Sequence, residues 1–193
     1  MRLTAYRVHL FTILRINSSE CVRKTRKISA GEITQDSAHF SGDWVLFDTI
    51  IRPDYNRGRQ LHVDDPLALL LMRLRQGGEI EIMPNYAFIP LGSRFAISVN
   101  EIRNNVNPAI AEFLAVDASQ VRLPQEIELN VLGNRSYPHL GQTDTWEWAG
   151  DVVGKDGSLF VGSSEVGGLA HISTGGSDCR HSHVGFRTII DFP

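Results

Sequence analysis

The last third of the chain limits most what it can fold into. It opens with Tyr137-Pro138-His139-Leu140-Gly141, passes through Asp144-Thr145-Trp146-Glu147-Trp148 and closes on Gly185-Phe186-Arg187. Between the aromatic block and the closing tripeptide, Gly, Ser, His and Asp dominate, with His171, His181 and His183 among them. Such a stretch has too few apolar side chains to build a core, so it must be draped over one supplied by the rest of the chain.

The rest can supply it. With 193 residues, 42% hydrophobic and 21% charged, the chain can form one domain with a full core, or one domain plus an appendage. A net charge of -3 gives no overall basic field, so no nucleic-acid partner is expected. Arg2, Arg7, Arg15, Arg23, Lys24, Arg26 and Lys27 do crowd the first thirty residues against the single acid Glu20. They lack the aromatic interleaving of a single-strand binder and read as solvated strand edges. No apolar run has the length of a membrane span. Val8 to Ile16 reads as a strand rather than a signal peptide, which points to a cytoplasmic or virion-associated location. Cys21 and Cys179 fit one long-range disulfide or two free thiols.

The elements expected are α+β. Strands are predicted over Tyr6–Ile16, Trp44–Ile51, Glu79–Met83 and Arg94–Val99. The clearest helix runs over Leu67–Arg75, capped by Asp64 or Asp65 and stopped by Gly77-Gly78. Leu67, Leu70, Leu71 and Leu74 form its apolar stripe, with Arg73 and Arg75 off it. A second helix starts at Asn107-Pro108 with Ile110, Phe113 and Leu114 inward. A third opens at Pro124 and closes at Gly133, with Leu123, Ile127 and Val131 spaced four apart.

Several short blocks then occur in order: Arg94-Phe95-Ala96-Ile97-Ser98-Val99-Asn100-Glu101-Ile102, Glu112-Phe113-Leu114, Arg122-Leu123-Pro124-Gln125-Glu126-Ile127-Glu128, Tyr137-Pro138 with Gly141, Trp146-Glu147-Trp148 and Gly185-Phe186-Arg187. The series resembles the formylglycine-generating enzyme (sulfatase-modifying factor) family over roughly residues 88–190. The resemblance implies a C-type-lectin-like domain over 86–193, preceded by a β-rich portion with one helix over 1–85. It also implies that Trp146-Glu147-Trp148 is largely architectural. The departures bear on function. Four residues separate Gly141 from Trp146 where the family carries a long loop, and Leu129 stands where the family has Trp. Family members that oxidise cysteine hold copper with two nearby cysteines, whereas Cys179 is alone in this region, and one thiolate does not make the same site.

The residues themselves offer few chemical sites. On a strand, Cys179, His181 and His183 would project to one side and could share a metal, but no fourth ligand can be identified, and a Gly/Ser-rich loop is the preferred reading. Ser163, His171 and Asp178 supply residue types for hydrolysis without a nucleophile elbow. What remains is residues 160–184 as a displayed surface, with Ser163, Ser164, Glu165, His171, Ser173, Asp178, His181 and His183 as ligand-binding residues. The resemblance extends to the variable proteins of diversity-generating retroelements, in which the stretch before the terminal Gly-Phe-Arg lines the binding face. The expectation is therefore a non-catalytic module without cofactor that binds a protein or glycan, for instance at a phage tail or virion surface. Residues 1–85 would be its packing surface for a homo-oligomer or larger assembly. The alternatives are a reduced copper-dependent oxidase using Cys179, and a structural subunit.

Overall fold

Residues near the two ends of the chain form one sheet, so the middle of the sequence is built inside a closure made by its extremities. The computed structural model describes residues 11–15 and 44–192. Strand β1 (Phe11–Arg15) pairs antiparallel with β2 (Trp44–Asp48), Phe11 opposite Asp48 and Arg15 opposite Trp44. The far side of β2 pairs with β8 (Ile189–Asp191), which also takes β3 (Val121–Arg122), giving the order β1-β2-β8-β3. A second sheet holds β4 (Trp146–Val153), β5 (Gly157–Gly162), β6 (Ile172–Gly176) and β7 (Val184–Gly185), in the order β6-β5-β4-β7. All its pairs are antiparallel except β4 with β7, which run parallel. The architecture is α+β.

Among the described residues, four α-helices cover these sheets. Helix α1 (Ala68–Gly77) buries the predicted stripe, with Leu67, Leu70, Leu71 and Leu74 all inside, and it ends on Gly78 in the left-handed region at φ 81°. Asp65 Oδ1 accepts from the Leu67 amide at 3.0 Å, a capping role near the one expected. Arg75 departs from its expectation. It is buried, and its guanidinium donates to the Ser93 and Phe95 carbonyls at 2.7 and 2.8 Å. Burial lowers its pKa to about 10, against the opposing pull of Glu101.

The second helix starts eight residues earlier than Asn107-Pro108 suggests. Ser98 and Glu101 form a reciprocal capping box that opens α2 (Val99–Glu101). The chain then widens into a π-helical turn, Ile102–Val106, before α3 (Asn107–Leu114), so Pro108 lies inside a continuous helical run. Helix α4 (Glu126–Arg135) is boxed by Gln125 and Glu128 and runs past Gly133, whose missing Cβ leaves room for Leu169.

Two expected strands are absent. Residues 79–83 form no strand: the chain bends at Glu79 and Ile80, whose amides donate to the Leu74 carbonyl, and Ile80 is buried while Ile82 is exposed, so the two share no face. Residues 94–98 are likewise not a strand. Phe95, Ile97 and Val99 are buried, but so are Arg94, Ala96 and Ser98, and Ala96 takes φ 55°, its amide donating to the His181 carbonyl at 3.1 Å. A β-sheet ladder cannot continue through a left-handed residue. Within Trp44–Ile51 the strand ends at Asp48, and Tyr6–Ile16 lies outside the described residues except for β1.

Alternation along the strands divides the interior in two. In β5, Phe160 packs with α1, the α2–α3 run and Trp148, while Leu159 and Val161 pack with Val45, Phe47 and α4. Strand β8 repeats the division, with Ile190 in the first cluster and Ile189 in the second. The first cluster also crosses the expected boundary at 85/86, since Leu67 to Ile80 share it with Trp148, Phe186 and Ile190.

Candidate functional site

The parallel pairing of β7 with β4 brings the Gly-Phe-Arg end beside Trp-Glu-Trp. Glu147, on the face of β4 opposite the indoles, accepts from Arg187 Nη2 at 2.8 Å and Nε at 3.3 Å, both side chains fully buried. Arg52 stands 3.7 Å from the same carboxylate and donates to Thr143 Oγ1 and the Leu140 carbonyl, each at 2.7 Å. Arg187 reaches on to the carbonyls of Asp48 and Ile50, tying this web to β2. Arg94 pairs with both Asp48 and Asp65. Burial disfavours its charge, but those two carboxylates outweigh burial and hold its pKa above the ordinary value. Arg52 is lowered instead, because burial and the Arg187 charge outweigh Glu147. The web is fully internal and fixes the frame.

On the other face of this sheet the aromatic side chains form a continuous row. Phe160 meets Trp148 at 5.2 Å and Trp146 at 5.3 Å between ring centroids, edge to face in both cases. His171 adds to Trp146 at 5.5 Å, and His181 packs on Trp148 and Phe160 at 5.7 and 5.8 Å. His183 lies 5.6 Å from His181, with Tyr55 edge-on to it at 6.4 Å. Ser173, opposite Phe160 across the β5–β6 ladder, shares this face. Gly175 does too: a Cβ there would stand 3.1 Å from Trp148 and 3.3 Å from His181 Nε2, so glycine is what admits the imidazole. The row grades outward from buried Trp148 to half-buried His181 and His183 and exposed His171.

The backbone that carries the imidazoles is held from several sides, not loosened by its glycines. The Ala96 amide donates to His181 O, the Asn100 amide to Ser177 O at 3.1 Å, and Gln60 Nε2 to Ser182 O. Tyr86 Oη donates to Arg180 O at 3.0 Å. Arg180 itself pairs with Glu101 at 2.8 Å and Glu81 at 3.0 Å. The capping-box carboxylate of α2 thus also anchors the loop.

This arrangement places the expected site residues as follows. His171, Ser173, His181 and His183 come together around the aromatic row. Ser164 and Glu165 are exposed on the short turn Ser164–Val166, and among the described residues no hydrogen bond or ring contact joins their side chains to the imidazoles. Asp178 is exposed and accepts from Asn100 Nδ2. Ser163 is a correction: it is buried at φ 65°, its amide donating to Thr145 O and its carbonyl accepting from Gly168, so it turns the chain rather than facing solvent. Cys179, His181 and His183 lie in a loop, not on a strand, and Cys179 is exposed with a free thiol. Among the described residues no group of three or more His, Cys, Asp or Glu is placed to hold a metal ion. Cys21 lies outside the described residues. Sequence reasoning overlooked Tyr55, hidden in a turn-rich loop, and read Trp146 as architecture only.

Burial lowers the pKa of His181. Burial and then the neighbouring His181 lower that of His183. Both rings are therefore neutral at pH 7; His181 Nε2 is buried without a partner, so the row offers π-faces with the nitrogens of His183 and His171 toward its rim. Among the described residues no helix is long and apolar enough to cross a membrane. No family model matches the sequence, and neither a curated protein nor a solved structure matches it.

Proposed function

We propose that the chain is a non-catalytic recognition module with a C-type-lectin-like domain related to the formylglycine-generating enzyme family. Its binding face is the aromatic–imidazole row carried by β4, β5, β6 and the loop before β7. The row carries this reading: a rigid line of rings, grading from core to solvent, with hydrogen-bonding nitrogens at its exposed end. Such a surface suits the apolar face of a sugar ring or an aromatic patch on a protein, because rings supply contact area at low conformational cost. The family relationship is supported by the order of the sequence blocks and by the contact between Trp146-Glu147-Trp148 and Gly185-Phe186-Arg187 through Glu147 and Arg187. A receptor-binding role on a phage or virion, with sequence variation concentrated in residues 160–184, follows from the same reading.

A glycan array probed with the full chain, followed by titration of any glycan retained, tests it. Saturable binding weakened by about tenfold or more in Tyr55→Ala and His183→Ala supports the reading, since ring contacts at an interface carry energies of that order. Retention unaffected by both substitutions, or no retention on the array and on a display library of folded protein domains, overturns it.

A further inference from the structure

Strand β6 is outermost in the second sheet, and half of its backbone groups face away from the ladder. At one end of the β5–β6 pair the Gly162 amide donates to His171 O at 3.3 Å, and just past the other the Ser177 amide donates to Asp156 O at 2.8 Å. Antiparallel bonds recur at every second residue, so Ser173 and Gly175 bond to β5 while Ile172, Thr174 and Gly176 turn their groups outward. Among the described residues none of these three outward amides has a hydrogen-bond partner, and of their carbonyls only Gly176 O is taken up, by the Cys179 amide at 2.9 Å. Thr174 and Gly176 are exposed, so the edge is open to solvent.

Strand edges are ordinarily blunted by shortness, charge, proline or a bulge. The opposite edge of this sheet, β7, and the β3 edge of the other sheet are two residues each. Strand β6 has none of these devices. Its five residues, Ile-Ser-Thr-Gly-Gly, include no charge and no proline, and its register with β5 runs without a shift. The aromatic row is also within reach across it. Ser173 and Gly175 are the β6 residues on the row face, and Trp148, Phe160 and His181 all come within 3.3 Å of where a Gly175 Cβ would stand. His181 Nε2, one of those neighbours, has no partner of its own. A glycine inside a strand marks a place where a ligand or another backbone approaches closely.

We propose that an extended segment of a partner protein adds to β6 as a further, antiparallel strand, its backbone exchanging hydrogen bonds with Ile172, Thr174 and Gly176. Its residues opposite Ser173 and Gly175 fall in non-hydrogen-bonded pairs, where side chains lie closest, and they point to the face of the row. Main-chain bonds then supply affinity, and those side chains, laid against Phe160 and His181, supply specificity. The free groups themselves call for a backbone, which a sugar does not offer. A second copy of this chain is the less suited occupant. Five residues of edge fall far short of the roughly 1,600 Å² of a standard stable interface, whereas linear peptides bind sheet edges through this same set of bonds. The inference rests on the recognition reading only in taking the row as the surface that the partner's side chains meet.

The test begins with a display library of random linear peptides of about 5–6 residues, the usual strand length, panned on the full chain. Retained peptides are synthesised and titrated against the labelled chain by nuclear magnetic resonance with hydrogen exchange. Saturable binding that slows exchange of the Ile172, Thr174 and Gly176 amides is expected. Thr174→Pro removes an outward donor that the ladder to β5 does not use. It should weaken binding about tenfold or more with the melting temperature unchanged. Peptides N-methylated at alternate amides should weaken in the set that faces β6 and not in the other, which tests the edge on the unsubstituted chain. Equal binding to Thr174→Pro, no retained peptide, or a dimer of the chain that Thr174→Pro dissociates overturns the inference. A glycan that binds Thr174→Pro normally but Tyr55→Ala weakly also overturns it, while leaving the recognition reading in place. Peptides lost in Thr174→Pro but indifferent to Tyr55→Ala and His183→Ala support the edge and count against the row as the binding face.

Discussion

At the scale of single residues, the buried ionic web and the imidazoles make opposite kinds of contribution. Arg187 and Glu147 are both removed from water, so each charge is tolerated because the other is there. Arg187→Met leaves Glu147 with only Arg52 at 3.7 Å and is expected to cost about 3–5 kcal/mol in urea unfolding. The double variant Arg187→Met/Glu147→Leu should recover part of that loss, because the uncompensated carboxylate is gone, while Arg52 keeps its bonds to Thr143 and the Leu140 carbonyl. A double variant no more stable than the single one would show that the Arg187 bonds to Asp48 O and Ile50 O, not the ion pair, carry the energy. The imidazoles instead work only when neutral. His62, stacked on Phe95 with neither ring nitrogen partnered, has a pKa well below 6.5, because of burial first and then the charges of Arg94, Arg187 and Arg52. His181 and His183 are lowered as well. Each binds its proton more readily in the unfolded chain, so this stability is complete above about 6.5, falls as pH drops below it, and is lost through the folded-state values. The urea midpoint should decline from pH 7.5 to pH 5, less steeply in His62→Gln. A flat midpoint in the wild-type chain would contradict the burial that produces the shifts.

At the scale of elements, the capping box of α2 has two tasks, since Glu101 caps Ser98 and also holds Arg180 of the imidazole loop. Ser98→Ala should cost about 1 kcal/mol, the ordinary loss of a helix cap, with the loop retained. Glu101→Gln should instead release Arg180, and the His181 and His183 ring resonances should broaden or move. Unchanged resonances in that variant would mean that Glu81, Tyr86, Gln60, Ala96 and Asn100 hold the loop without it. This double use also shows what the sequence made legible. The stripe of α1 and the alternation of Trp146-Glu147-Trp148 are local repeats, and both were readable. The loop at 94–98 was misread because Phe95, Ile97 and Val99 do alternate, but the Ala96 amide is satisfied by His181, a carbonyl far away in sequence. Arg75 was misplaced for the same reason: only the folded chain brings the Ser93 and Phe95 carbonyls to a cation on the helix. For the candidate site, His171, His181 and His183 were readable as a cluster by composition. Tyr55 and Ser163 were not, because one reaches the site across the fold and the other is decided by a positive φ.

At the scale of the whole molecule, the two clusters of the interior meet along strands whose neighbouring residues point opposite ways. Strand β8 shows this most simply, with Ile189 at 0% exposure in the cluster of α4 and Ile190 at 1% in the cluster of Trp148. Between β2 and β3, β8 also closes the first sheet, and its Asp191 carboxylate accepts from Arg122 at 2.7 and 2.9 Å. A strand shared in this way couples its two faces, because neither cluster can come apart without breaking the backbone ladder that serves the other. Ile189→Ala should therefore cost about 2–5 kcal/mol, the range for truncating a buried isoleucine. The argument further requires that the loss appear in both clusters. Tryptophan emission, whose fully buried reporter Trp148 lies in the cluster that Ile189 does not touch, should shift its unfolding midpoint by the same amount as far-ultraviolet circular dichroism. Coincident shifts would establish one cooperative unit across both clusters. A tryptophan transition left in place while the dichroism transition moved would show two units that unfold separately, and β8 would then be a seam rather than a coupling.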